Sequence, residues 1–308
     1  MKRNVLSIHL AAFLFGMTGI LSTLIDADST VITFGRALFA VIVLSPLLML
    51  WMGSSSTASS TKSHTSPTPP MSMSAVPTLS TKDIWWRCLI SGFLLALHWV
   101  TFFVSVKTAG VALATLGFSS FAAFITLIEW FTTRQQITRA DWLRTLVVSG
   151  GLVVMIPTLN LADENTYGFV MGLLSGLSFA AMAVFNSRFL VGVNPIRVAR
   201  NQNVIVLLLL GVWALPSLGV LSAASWFWLA LLGIFCTGLS HSLFVFSLAR
   251  MRVNVAGLVI ALEPVYAIVA AWLLFQEIPT MRTIIGGMII VSAIIGVNYA
   301  KTRHNATL

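Results

Sequence analysis

Glu263 stands near the middle of a long apolar run and is followed at once by Pro264. A charged carboxylate inside lipid costs about 2.5–3.5 kcal/mol on insertion scales, so this side chain must face protein or water, or carry a proton. The proline has no backbone donor, which frees the Ile260 carbonyl one turn earlier. A carboxyl beside a free carbonyl makes a substrate or proton site. The plainer reading is a hydrogen bond to a neighbouring helix. His98 and His241 are the next candidates, because imidazole titrates near neutrality. At helical spacing His98 shares a face with Thr101, Phe102 and Ser105, and His241 with Thr237, Ser240 and Phe244. Each histidine either relays a proton or simply bonds across helices. Two histidines without a cysteine or second acid beside them make a poor metal site.

Arg36 lies about seven residues inside its apolar run, roughly 10 Å deep at the helical rise. Snorkelling outward or a structural ion pair is the expected role, and anion binding the alternative. Trp99, Phe102, Phe103, Phe118, Phe121, Phe124 and Tyr266 supply aromatic surface near these groups. Such residues either line a pocket or pack helices. Glu129 is expected in an interfacial ion pair with Arg134. The eight residues expected to line a substrate cavity or serve coupling are Glu263, His98, His241, Trp99, Phe102, Tyr266, Ser119 and Arg36.

Ten apolar runs must position these groups: 5–25, 30–52, 84–106, 110–132, 140–159, 167–190, 198–218, 226–248, 253–275 and 281–300. Most reach the ~20 residues that cross a bilayer core. The chain is 57% hydrophobic and only 9% charged, against about 25% charged for a soluble domain. The runs lack the alternation of barrel strands, and helices satisfy their own backbone in lipid. The expected fold is an all-α integral membrane protein of ten transmembrane helices.

The net charge of +9 does not point to nucleic acid. If the N-terminus is cytoplasmic, fifteen Lys and Arg fall on the cytoplasmic side and two, Lys107 and Arg282, outside. That asymmetry is a topology label. It places both termini in the cytoplasm of a cell with an inner membrane. Cys88 and Cys236 fall at or inside helices and suggest no disulfide or metal framework.

Residues 53–83 are Ser-, Thr- and Pro-rich and read as a disordered cytoplasmic loop, an insertion more readily than a regulator. The rest looks duplicated. Residues 98–120 and 241–263 each carry a His, an aromatic stretch, and a base nine residues on, Lys107 and Arg250. Gln136-Ile137-Thr138 parallels Glu277-Ile278-Pro279. The repeats are taken as 1–160 and 161–308. Five spans is an odd number, so the second repeat inserts with the opposite orientation, an arrangement typical of transporters with a mid-membrane site. Gly172–Gly176 has the spacing of a close helix contact, and Gly16 and Gly19 polarise the first span similarly.

On these residues the chain resembles the EamA-type permeases of the drug/metabolite transporter superfamily. The resemblance is carried by Phe34-Gly35-Arg36-Ala37, by Leu97-His98-Trp99 through Lys107, by Ala261-Leu262-Glu263-Pro264-Val265, and by Phe275-Gln276-Glu277. It implies two inverted five-helix bundles around a central cavity, and mostly export of small metabolites such as amino acids. Phe118-Ser119-Ser120-Phe121 departs from the pattern, with Phe where such permeases often carry Pro, so the fourth helix is expected to bend less.

No GxxxxGK[ST], GxSxG or HExxH occurs. The expected function is secondary export of a small metabolite by alternating access, with no cofactor, no nucleic-acid partner and no enzymatic activity. A channel-like or import permease is the alternative, and an intramembrane enzyme using His98 and Glu263 a more distant one. Proton coupling and facilitated diffusion both stay open, as do substrate identity and oligomeric state.

Overall fold

The computed structural model describes residues 2–59, 79–133, 138–155, 163–276, 278, 280–282, 284–289 and 291–293. Among them there is no strand. The helices are α1 (Lys2–Thr23), α2 (Ser29–Ser59), α3 (Thr81–Ser119), α4 (Phe121–Thr133), α5 (Arg139–Met155), α6 (Glu164–Phe189), α7 (Pro195–Leu218), α8 (Ala223–Gly233), α9 (Ser240–Leu248), α10 (Val253–Ile260) and α11 (Glu263–Phe275). A π-helical segment, Ile234–Leu239, joins α8 to α9. Further helical residues lie between 281 and 293.

Local chemistry sets the helix starts. Ser80 Oγ accepts from the Asp83 amide at 3.1 Å and donates to its carboxylate at 2.7 Å. Asn194 caps α7 through the amides of Ile196 and Arg197, with Pro195 in the first turn. These are the residue types that satisfy the orphan amides of a first turn.

Among the described residues, six helical stretches are long and apolar enough to cross a bilayer: Leu6–Thr23, Ser29–Leu50, Thr81–Thr132, Glu164–Phe189, Pro195–Leu218 and Ala223–Leu248. Glu263–Leu274 and Ile284–Ala293 are shorter. The stretch from Thr81 to Thr132 merges two expected runs. Its 52 residues would extend roughly 80 Å if straight, far beyond a ~30 Å core. Gly110 divides it, at φ 79° and ψ 168°. No atom lies within 4 Å of where a Cβ would stand, so backbone conformation, not space, requires glycine there.

Two expectations about the helices are corrected. Helix α2 continues to Ser59, about two turns into the stretch read as disordered, and α3 already begins at Thr81; extending a formed helix costs far less than nucleating one. Residues 60–78 lie outside the described set. The fourth span is also interrupted, at Ser120, without a proline. The Ser120 amide bonds to the Gly117 carbonyl at 3.2 Å, three residues back. Ser119 Oγ and Ser120 Oγ donate to the Thr115 and Gly117 carbonyls. Hydroxyls that back-bond in this way bend helices.

Packing brings the ends of the molecule together in two groups. Arg87 donates to the Phe189 carbonyl, Arg188 to Thr132 Oγ1, and Arg197 to Thr81 Oγ1. The start of α3, the end of α4, the end of α6 and the start of α7 therefore share one basic end. Lys107 Nζ donates to the Ile25 carbonyl at the other end. Helix α3 lies along α6, α2 along α7, and α1 between α9 and α11. The core runs through the middle of the bundle, where Phe103, Phe118, Phe121, Phe179 and Phe244 are almost wholly enclosed.

Candidate functional site: a closed charged cavity

A small cavity lies at the centre of the bundle, lined by Phe15, Thr18, Arg36, Leu95, His98, Trp99, Phe102, Phe118, Phe179, His241 and Glu263. Its free space is about 20 Å³, room for about one water molecule. Six of the eight residues expected from the sequence meet here. The other two do not. Tyr266 packs edge-on against Phe13, with ring centroids 5.8 Å apart. Ser119 is buried and donates to the Thr115 carbonyl.

Two helix breaks build the cavity. Helix α10 ends at Ile260 and α11 starts at Glu263, so Glu263 sits in a first turn and not in the middle of a continuous helix as expected. Pro264 explains this, since it can donate no bond to the Ile260 carbonyl of the preceding turn and suits the first turn of a new helix. A carboxylate in a first turn is also favoured by the helix dipole. Glu263 is 3% exposed, and its Oε2 has no hydrogen-bond partner. Gly16 of α1 permits this approach, because a Cβ there would lie 3.0 Å from the Glu263 carbonyl oxygen and 2.9 Å from Tyr266 Cβ.

Arg36 corrects a second expectation. It is 1% exposed and does not snorkel. The π-helical segment holds it: Arg36 Nε donates to Thr237 Oγ1 at 2.8 Å, and Nη2 to the Cys236 carbonyl at 3.1 Å. The guanidinium carbon lies 4.2 Å from the Trp99 ring centroid and 5.3 Å from that of Phe103, a cation–π arrangement. Close approach of α2 to α8 requires Gly233, where a Cβ would meet the Arg36 carbonyl at 2.7 Å. Arg36 Nη1 is left without a partner. Arg36 and Glu263 line the same cavity. Glu129 is buried and its expected partner Arg134 lies outside the described residues.

The histidines find partners on other helices, not on their own faces. His98 Nδ1 and Ser175 Oγ of α6 share a hydrogen bond of 2.7 Å. The His98 ring stacks on Phe118 and tilts against Phe179, each centroid 4.9 Å away. His241 Nε2 donates to Gln202 Oε1 at 2.7 Å, which fixes the proton on Nε2 and leaves Nδ1 as an acceptor. Phe15, Leu95 and Phe179 were not singled out from the sequence. Thr18, Ser175, Asn186 and Gln202 are polar residues that interrupt apolar runs, and that interruption is the signal the sequence offers for them.

Opposite charges, each with an unpaired polar atom, line one small cavity inside a multi-pass helical bundle. That is the architecture of a membrane transporter, and the relatives of the chain are transporters. Residues 166–299 match the EamA-like transporter family, so this part of the chain is similar to that family. It is 26% identical to the S-adenosylmethionine uptake transporter of Rickettsia conorii, over 70% of this chain and 72% of that protein. It is 28% identical to the S-adenosylmethionine uptake transporter of Rickettsia felis over the same shares. It is 27% identical to an uncharacterized transporter of Archaeoglobus fulgidus, over 47% of this chain and 53% of that protein. A solved crystal structure of a protein 16% identical superposes with a TM-score of 0.68, covering 98% of this chain and 99% of that one. The last likeness establishes the fold alone.

Proposed function

We propose that this chain is a secondary transporter that carries an amino acid or amino-acid derivative through the central cavity by alternating access. The observation that carries the reading is the pair of unpaired atoms, Arg36 Nη1 and Glu263 Oε2, in one closed cavity. Buried polar groups are ordinarily paired, so two orphans facing one space call for a ligand of complementary charge. A carboxylate would take the guanidinium donor and an ammonium the carboxylate, while Trp99, Phe102, Phe118 and Phe179 would enclose the apolar part. The S-adenosylmethionine named for two relatives is an amino-acid derivative of that kind. The cavity is too small for such a molecule as it stands, which fits a closed state between two open ones.

Two inverted five-helix repeats, 1–160 and 161–308, are part of the proposal. They gain support from matching contacts. Gly16 of the first helix meets the break before α11, and Gly176 of α6 meets the break before α4, where a Cβ would lie 2.6 Å from Ser120 Oγ. We place the chain in an inner membrane with the basic end and both termini cytoplasmic. An impermeant thiol reagent applied outside should then label Asn165→Cys and spare Thr307→Cys. The sequence resemblance favours export. The uptake named for the relatives favours import, and the gradients across the membrane would choose between them. Counterflow in proteoliposomes, with labelled S-adenosylmethionine and labelled amino acids, tests the reading. Saturable uptake accelerated by the same solute inside is expected. Flux that neither saturates nor shows counterflow would replace the carrier with a channel.

A further inference from the structure

Between the cavity and the basic end, four side chains from four helices form one hydrogen-bonded knot. Gln202 of α7 is its centre. Gln202 Nε2 donates to Ser91 Oγ of α3 at 2.7 Å and to Asn186 Oδ1 of α6 at 3.0 Å. Gln202 Oε1 accepts from His241 of α9, which also lines the cavity. Ser91, Gln202, Asn186 and His241 are all buried. Counted along their helices, the first three lie roughly 5–15 Å from the basic ends. Ser91 belongs to the first half of the chain and the other three to the second, so the knot ties the halves together.

The surroundings of the knot are unsettled. Asn186 Nδ2, Asn201 Nδ2 and Asn203 Oδ1 are buried without partners. A knot satisfied through Gln202 but surrounded by unsatisfied amides can open at low net cost. Water admitted by separation of α3 from α6 and α7 would pair the orphans while the three Gln202 bonds are lost. A cluster with two such arrangements is what a switching element requires.

We propose that Gln202 is a positioning residue for transport, holding the cavity shut toward the basic end, and that passage in that direction requires its three hydrogen bonds to break. The inference rests on the transporter reading. The chain carries its own reporter. Cys88 is a buried free thiol on α3, one turn from Ser91 toward the basic end, packed with Ile84, Leu190, Val198 and Val245. The other thiol, Cys236, is buried at the Arg36 anchor, in a different packing cluster from Cys88.

The test is alkylation of the purified full chain by N-ethylmaleimide, resolved by site with mass spectrometry. In Gln202→Ala, Cys88 should react at least tenfold faster than in the wild type, with Cys236 unchanged. Ser91→Ala, which removes one bond of the three, should give a smaller selective acceleration and carries the test if Gln202→Ala does not fold. Wild-type reactivity of Cys88 in both variants would overturn the proposal. Equal acceleration at both thiols would also overturn it, since that is general loosening. Selective acceleration at Cys88 in the variants, together with no counterflow by the wild-type chain, would keep the latch and overturn the transport reading beneath it.

Discussion

Glu263→Gln separates the charge of the carboxyl from its shape. The side chain is almost fully enclosed and Oε2 has no partner. An unsatisfied buried polar group costs about 1–3 kcal/mol, and more when charged. The amide removes the charge but adds two donors that need acceptors. The relief and the new penalty oppose each other, so thermal stability in detergent should stay within about 1 kcal/mol of the wild type. Transport should respond differently. If the carboxylate holds a cationic group of the substrate or exchanges a proton, the variant should lose at least about tenfold in counterflow rate, a change of about 1.4 kcal/mol in barrier. The assay is counterflow at matched protein levels, repeated across the range in which carboxyl and imidazole groups titrate. The wild type should show a pH profile that the Gln variant lacks. His98→Gln in the same assay should alter the profile if the imidazole is the relay partner, and only the rate if the ring merely lines the cavity. Wild-type rate and wild-type pH dependence in Glu263→Gln would refute any role for ionisation of that group.

Arg36→Lys keeps a charge but loses the fork that reaches Thr237, Cys236 and the cavity at once. Its half-saturating substrate concentration in counterflow should rise at least about tenfold, about 1.4 kcal/mol of binding, and an unchanged value would remove Arg36 from the substrate site. Gly176→Ala should lower stability by about 1–3 kcal/mol through overpacking, because its Cβ would meet Ser120 Oγ at 2.6 Å and the Phe118 carbonyl at 2.7 Å. Gly150→Ala, with nothing within 4 Å, should be neutral or stabilising, and equal melting of the two variants would contradict the packing argument.

The membrane class was legible because burial in lipid leaves a coarse mark: long apolar runs with basic residues between them. The helical ends that the charge pattern groups together do bond to one another, through Arg87, Arg188 and Arg197. The breaks were harder to read. Pro264 announces one, but the interruption at Ser120 arises from hydroxyls competing for carbonyls, and serine does this only in some contexts. Arg36 was misjudged for a related reason. Its depth was readable, but the π-helical segment that accepts it lies two hundred residues away and leaves no sequence mark. The partners of the histidines, Ser175 and Gln202, are likewise set by packing between helices, which periodicity along one helix does not report.

The two halves place their breaks alike and fill them differently. A glycine of α6 lies against the break at Ser120, and a glycine of α1 against the break at Glu263. His98 and His241, equivalent in the proposed repeat, both line the cavity. Yet one break presents a serine whose hydroxyl is bonded within its own turn, and the other a carboxyl with a free oxygen. One histidine bonds to a serine, the other to the amide at the centre of the Gln202 knot. Charge and the connection to the basic end are therefore concentrated on the second half, and Arg36 crosses from the first half to meet them. A pair of identical halves would bind a substrate equally at either end of the cavity. Under the proposed transport reading this asymmetry would supply an orientation, with an acceptor at one break, a donor held by the π-helical segment, and one wall tied to the Gln202 knot.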